Sequence, residues 1–458
     1  MEFITRIIGY FDTNGGLTKY MSKKVLIVYE NMGMGHLRMA KIVEHSLGSQ
    51  PGLVIVNEAG SELFGINDVK IIDRLWNFCI RKNWIRFTDI FINFLLRLLF
   101  MPLDEVMEIE SIHQKLDMIK PDIIISTADV WNHVLGSYAS ERKIPFYVVI
   151  TEISVFMDLV NPYATHLCYF HETAQAIHGF NFKTAYFSTI LHHSMSLSEK
   201  ITYVLKYYQD YLLNILHNPI FRNINRSHLS KNQARVKIIG PLAEQKHYAP
   251  QNSREFREKL GLNPDSPMVL ILSGSIGGKF LTRIIDNICN TYQGPLTICA
   301  MCGNDQKIFQ KIKRYRPRNS KIQVTPYPYQ KNLEEFIAGS DCIIARPSAG
   351  IFIESLLHRI PMLAFGNVPS NDIGTIEIIK KYNTGEFCTE KTELNKVLAK
   401  ILDNKTTYQT KIDQLMNLYT IDYEAQKQKM KDTILYQIGS PDMIIEPAND
   451  RLVQGFVV

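Results

Sequence analysis

Asp341–Asp372 reads DCIIARPSAGIFIESLLHRIPMLAFGNVPSND, and its pattern fixes the fold class of the chain. Cys342–Ala345 is a short apolar strand, Arg346-Pro347-Ser348-Ala349-Gly350 a tight small-residue turn, Ile351–His358 a helix, and Pro361–Phe365 a second buried strand. That is one βαβ unit of an α/β protein with a parallel sheet. The turn lies at the strand's carboxyl end and opens a helix, where unpaired backbone N–H groups and the helix dipole favour an anion such as a diphosphate. Glu354 follows about one helical turn on, within reach of a ribose hydroxyl. Taken alone, the same residues also fit a plain helix cap at Ser348 and an exposed carboxylate at Glu354.

The rest of the chain is long enough to repeat that architecture. Its 458 residues suit two domains, and 46% hydrophobic with 21% charged residues is a globular composition that excludes disorder. A net charge of +6 is too small to argue for nucleic acid, though it favours an acidic lipid or nucleotide. Seven cysteines, no cleavable leader and no apolar run of about 20 residues point to a reducing cytoplasm without disulfides. Cys299 and Cys302 form a lone CxxC with no second pair, so they read as buried small residues and no metal site is expected.

From the amino terminus, residues 1–22 are a lead-in, Val25–Tyr29 is a strand, and Glu30-Asn31-Met32-Gly33-Met34-Gly35-His36 turns into a helix running to about Leu47. Arg38 stands where a dinucleotide fingerprint needs its third glycine, so no NAD is expected. His36 falls in the helix's first turn on the rim where open α/β sheets bind ligands, and Gly33 and Gly35 clear space beside it. A packing or capping histidine is the alternative. Residues 71–103, IIDRLWNFCIRKNWIRFTDIFINFLLRLLFMPL, mix aromatics with Arg74, Arg81, Lys82, Arg86 and Arg97 at spacings that place much of the charge away from the apolar face. The run is too charged to span a bilayer, leaving an anionic membrane surface contacted by Trp76 and Trp84, or two ordinary core-facing helices.

Strands follow at 121–127 and 144–151, the second ending at Glu152, either a base on the same rim as His36 or a loop carboxylate. Residues 181–233 are irregular and read as an insertion, and 241–253 as a linker. A second α/β unit then opens with strand Met268–Leu272, the loop Ser273–Lys279 and helix 280–291. The loop lacks P-loop spacing, so an ATPase is not expected. The expected domains are 23–240 and 254–420, with a helix and tail over 421–458, and both offer glycine loops to one cleft.

The segments ENMGMGHLRMAKIV, SGSIGG, CGND, YQKNLEEFIAGSDCIIARPSAGIFIES and NVPSND, in this order over about residues 23–420, resemble GT-B glycosyltransferases of the lipid-sugar group. That group holds the processive diacylglycerol glucosyltransferases, the plant monogalactosyldiacylglycerol synthases and, more distantly, MurG. The resemblance implies two Rossmann-like domains facing a cleft, a UDP-sugar co-substrate held by the second domain, a lipid or other hydrophobic acceptor received by the first, and inversion without metal or cofactor. It implies that Glu354 binds the ribose, Ser348 and Ala349 the diphosphate with Gly274 and Ser275 opposite, and the Tyr329-Gln330 backbone the uracil. It places Asn31, Gly33, Gly35 and His36 in the acceptor loop, His36 or Glu152 as base, and the 71–103 run with Trp84 at an anionic membrane surface, hence a cytoplasmic, peripheral location.

The chain also departs from that pattern. Asn371-Asp372 replace the usual Gln-Glu at the donor sugar, Ser348-Ala349 a Gly-Gly, Thr151-Glu152 a Thr-Asp, and Phe156 stands near a missing His. Donor sugar and acceptor are therefore left open. Two other readings share the architecture: a UDP-sugar 2-epimerase, which needs several cleft carboxylates where the first domain's rim offers few, and a non-catalytic membrane-associated nucleotide-sugar sensor.

Overall fold

The computed structural model describes residues 22–31, 35–48, 50–66, 68–99, 101–180, 195–214, 234–249, 251–273 and 278–436. The lead-in before residue 22, Gly33, the loop residues Gly274 and Ser275, most of the 181–233 insertion and the tail after 436 lie outside them.

Two six-stranded parallel sheets organise the described residues. The first holds β1 (Lys23–Tyr29), β2 (Leu53–Ala59), β3 (Ile123–Ser126), β4 (Phe146–Val149), β5 (Thr165–Cys168) and β6 (Arg235–Ile238) in the order β2-β1-β3-β4-β5-β6. The second holds β7 (Met268–Leu272), β8 (Leu296–Met301), β9 (Ile322–Tyr327), β10 (Cys342–Ala345), β11 (Met362–Phe365) and β12 (Gly385–Cys388) in the order β12-β11-β10-β7-β8-β9. Strands β3, β7, β8, β10 and β11 are buried along their whole length, the consequence of apolar runs covered by helices on both faces. Each fully buried Val, Leu or Ile contributes about 1.5–3 kcal/mol against exposure.

The strand order locates the site before any side chain is considered. In the first sheet the chain leaves β1 for β2 on one side and returns to β3 on the other, a reversal that marks a crevice at the carboxyl ends of β1 and β3. In the second sheet the same reversal falls between β7 and β10, which brings the carboxyl end of β7 at Leu272 beside Ala345, where the Arg346–Gly350 turn begins. The quoted βαβ unit is confirmed, its helix running Ala349–Leu357.

The 71–103 run is not a simple helix pair but several short helical segments. Helix Asp68–Lys82 stops at Asn83, whose φ of 61° is left-handed, with Trp84 N–H donating to Cys79 O at 2.9 Å. After the turn Ile85–Phe87 the chain widens into a π-helix over Thr88–Leu96. That wider turn buries Thr88, Ile92 and Asn93 and leaves Ile90 and Phe91 outside. Within the insertion, Leu197–Asn214 is a helix whose Tyr203, Tyr207 and Tyr211 are buried, Tyr207 Oη donating to Arg97 O at 3.0 Å.

The lobes touch closely. Ser154 Oγ donates to Ser370 O at 3.0 Å and accepts from Gly374 N at 2.8 Å, and a Cβ at Gly374 would lie 2.7 Å from Ser154 N, so only glycine permits the approach. The last described helix, Tyr423–Leu435, packs on the first lobe rather than the second: Tyr147 Oη reaches Thr433 O and Ile434 O, each at 3.0 Å. Gln426 is fully buried there, donating to Pro241 O at 2.8 Å and accepting from Tyr248 Oη at 2.8 Å. Leaving such an amide unpaired would cost about 1–3 kcal/mol, so these bonds fix where the helix docks.

Candidate active site

His36 sits in the first turn of helix Gly35–Leu47, above the β1/β3 crevice. Its Nδ1 hydrogen-bonds to Thr127 O, and Thr151 Oγ1 lies 3.3 Å from the same nitrogen. A carbonyl only accepts, so Nδ1 carries the proton and Nε2 keeps its lone pair. Asp129, two residues after Thr127, is buried; burial alone would raise its pKa, but Arg97 and then His36 outweigh that and hold it below the usual carboxylate range. A Cβ on Gly35 would meet nothing within 4 Å, and Asn31 is exposed, so both residues border open space. Beneath it Glu30 is buried, its carboxylate accepting from Ser61 N at 2.9 Å, Ser61 Oγ at 2.8 Å and Trp131 Nε1 at 3.2 Å. Those bonds fix the residue that follows β1.

Glu152 lies three residues past the end of β4. Both its oxygens accept from Asn371 Nδ2, at 3.0 and 2.9 Å, a contact between the lobes. Burial and the neighbouring Asp129 push its pKa up to about 8, against the pull of Asn371 and Arg97. It therefore holds a proton at neutral pH. Arg97, expected among the outward charges of the 71–103 run, instead turns inward and is largely covered, with Nη2 2.8 Å from Asp129 Oδ2, Nη1 on Asp158 and its guanidinium 4.7 Å from the Phe156 ring centroid.

Across the cleft, the helix Ala349–Leu357 starts at the β7/β10 crevice. Ser348 N–H donates to Arg346 O at 2.8 Å, closing the turn, which takes that amide away from the expected anion role. The donors left are the first-turn amides of Ala349, Gly350 and Ile351, and a Cβ on Gly350 would meet nothing within 4 Å. Arg346 Nε lies 3.2 Å from Asp372 Oδ2, while its Nη1 is buried without a hydrogen-bond partner. Burial pushes the Asp372 carboxyl up, with Arg346 opposing. Glu354 is buried, with one oxygen on Arg38 Nη1 at 2.8 Å and Oε2 without a partner. Burial pushes its pKa up to about 7 despite Arg38. Tyr329 is half exposed, and its N–H is used by Gly303 O at 3.0 Å, so Gln330 rather than Tyr329 retains a free amide at that edge.

The structure thus brings His36, Thr151, Glu152 and Asn371 to one cleft with Arg346, Ala349 and Asp372. The rim is richer in carboxylates than expected, gathering Asp89, Asp129, Glu152, Asp158 and Asp372, but each is engaged. Asp89 accepts from Ser370 N and Oγ at 2.8 Å, and Asn93 Nδ2 donates to Asn371 Oδ1 at 2.9 Å. Arg38, Arg97 and Asp129 join the site with no local sequence signal, whereas Arg346 carries one, a charge among the small residues of the quoted turn. Cys299 and Cys302 are buried thiols, and among the described residues no group of His, Cys, Asp or Glu is arranged to hold a metal ion. Trp84 is 52% exposed, edge-on to Phe78 and Phe87 and among exposed Arg81, Lys82 and Arg86, the Arg81 backbone lying beside Gly278 of the second lobe.

No protein-family model matches the chain. It superposes on MurG of Acinetobacter baumannii with a TM-score of 0.54 at 15% identity, covering 90% of this chain and 99% of that one. The two facing lobes are the GT-B fold, and fold and relatives together make this chain a GT-B glycosyltransferase. Among curated proteins it is similar to a probable monogalactosyldiacylglycerol synthase 2 of Oryza sativa subsp. indica, 21% identical over 83% of this chain and 73% of that protein. It is also similar to a processive diacylglycerol beta-glucosyltransferase of Staphylococcus aureus strain Newman, 22% identical over 42% of this chain and 48% of that protein.

Proposed function

We propose that the chain transfers a sugar from a UDP-sugar to a hydroxyl of a lipid, at a membrane surface, with inversion and without a metal. The observation that carries this reading is that the two crevices face each other across the Asn371–Glu152 bond, with His36 on one side and the Ala349–Ile351 amides on the other. As the sugar carbon loses its bond to the diphosphate, negative charge builds on the leaving oxygens, where aligned amides and the Arg346 guanidinium stabilise it. His36 Nε2 accepts the acceptor hydroxyl's proton and Asp129 steadies the imidazolium. Glu152, protonated at neutral pH, serves as a hydrogen-bond donor toward the sugar, together with Asn371. The names of the relatives support a glycolipid acceptor.

The test is to incubate the purified chain with a panel of UDP-sugars and a total lipid extract, in buffer containing a chelator, and to look for new glycolipids by mass spectrometry. A new lipid-linked hexose is expected. A sugar epimerised at C2 with no lipid product would turn the reading to the epimerase, and loss of turnover to the chelator would remove the metal-free mechanism.

The surface around Trp84 is the docking face in this reading, with Phe87, Ile90 and Phe91 exposed beside Arg81, Lys82 and Arg86. Among the described residues no helix is long and apolar enough to cross a membrane. Each cation near an anionic bilayer contributes about 1 kcal/mol. Changing Arg81, Lys82 and Arg86 together to alanine is therefore expected to weaken binding to phosphatidylglycerol vesicles by roughly a hundredfold in sedimentation. Undiminished sedimentation would mean that another face docks.

A further inference from the structure

Glu354 is the carboxylate that the donor reading assigns to the ribose, and its surroundings raise a question that reading leaves open: what keeps it charged? It is buried in the helix Ala349–Leu357, with the linker on one side and the first lobe on the other. Arg38 reaches it from the first lobe, Nη1 to Oε1 at 2.8 Å. From the linker, His247 Nε2 lies 3.7 Å away, but burial and His358 bring the His247 pKa down to about 3, so no ion pair forms there. His358, 3.2 Å from His247 on its far side, is also neutral, its pKa brought down by burial to about 4. Lys246 sits 3.4 Å from both Glu244 and Glu334 and is shared between them, and those two carboxylates repel Glu354. Arg38 is thus the cation in direct contact among the described residues. It leaves Oε2 as a buried acceptor with nothing to accept from.

We propose that Arg38 is the positioning residue that prepares Glu354 for a ribose diol, holding one oxygen of the carboxylate and presenting the other, and so ties donor binding in the second lobe to the helix that carries His36. This rests on the donor-site reading. Arg38 lies two residues after His36 on helix Gly35–Leu47, so the same rigid element bears the base and the group that steadies the donor carboxylate. Ribose hydroxyls donate to Oε2, and the carboxylate accepts well only when ionised. Without Arg38 the buried carboxyl keeps its proton to higher pH and loses that capacity.

The experiment measures binding of UDP and of 2′,3′-dideoxyuridine diphosphate to the full chain by calorimetry between pH 6 and 9. The unsubstituted protein is compared with Arg38→Ala, Arg38→Lys and Glu354→Gln. UDP affinity is expected to rise through about pH 7 in the unsubstituted protein, where Glu354 ionises, and the dideoxy nucleotide to lack that rise. Arg38→Ala should weaken UDP about tenfold at pH 7.5 and move the rise to higher pH, with little change for the dideoxy nucleotide. Arg38→Lys should restore most of it. An Arg38→Ala protein that binds UDP as well as or better than the original, or loses both nucleotides equally, overturns the proposal. A Glu354→Gln protein with undiminished UDP affinity overturns the donor-site reading itself.

Discussion

Replacing His36 with alanine is expected to lower turnover by about 10²–10⁴-fold, the range for loss of a general base, while UDP affinity stays unchanged. The expectation rests on its hydrogen bonds. Thr127 O fixes the proton on Nδ1, so Nε2 keeps its lone pair, and Asp129 stands by to stabilise the charged product. Glu152 is the rival, and its environment argues against it as the base: it keeps its proton to about pH 8, and both oxygens accept from Asn371. Were Glu152 the base, the rate would climb as pH passed 8 and Glu152→Gln would abolish turnover. With His36 as base, no such climb appears and Glu152→Gln, an isostere of the neutral acid, retains most activity. Steady-state rates of both variants from pH 6 to 9 separate the two.

Arg97→Ala is expected to lower stability by about 3–5 kcal/mol, because it strands two buried carboxylates, Asp129 and Asp158, in place of one satisfied network. For a lobe of this size that lowers the melting temperature by roughly 10 °C. The cause is the stranded charge rather than lost packing, which the triple variant Arg97→Met, Asp129→Asn, Asp158→Asn tests by removing all three charges at once. It should recover most of the loss in a thermal melt monitored by circular dichroism. An Arg97→Ala protein melting with the original would show that the buried network contributes nothing, and the account of the rim beside His36 would fail with it.

The sheet and its rim were legible because apolar runs and small-residue turns encode them locally. Cys342–Ala345 followed by Arg346–Gly350 identifies the second crevice, and Val25–Tyr29 followed by Gly35-His36 the first. What was not legible is held by contacts across long sequence separations. Nothing local in Arg97 distinguishes it from exposed Arg86; its inward turn depends on Asp129 and Asp158, which arrive on other elements. Arg38 looked like a missing glycine because its partner lies 316 residues away. Ser348 stands where its amide could face an anion, but that amide is consumed by the turn that shapes the loop, leaving the first-turn amides of the next three residues unpaired. The π-helix at Thr88–Leu96 has no periodic signature of its own, since its apolar residues satisfy either helical pitch over so short a run.

The docking of the last described helix on the first lobe has a mechanical consequence. The polypeptide passes between the lobes twice, outward after Ile238 and back before Tyr423, and Gln426 pins the two passages to each other through Pro241 and Tyr248. A body joined by a single tether can twist and slide in any direction. Joined by two tethers fastened side by side, it resists twisting about either one, so the fastening at Gln426 limits how the lobes can turn against each other.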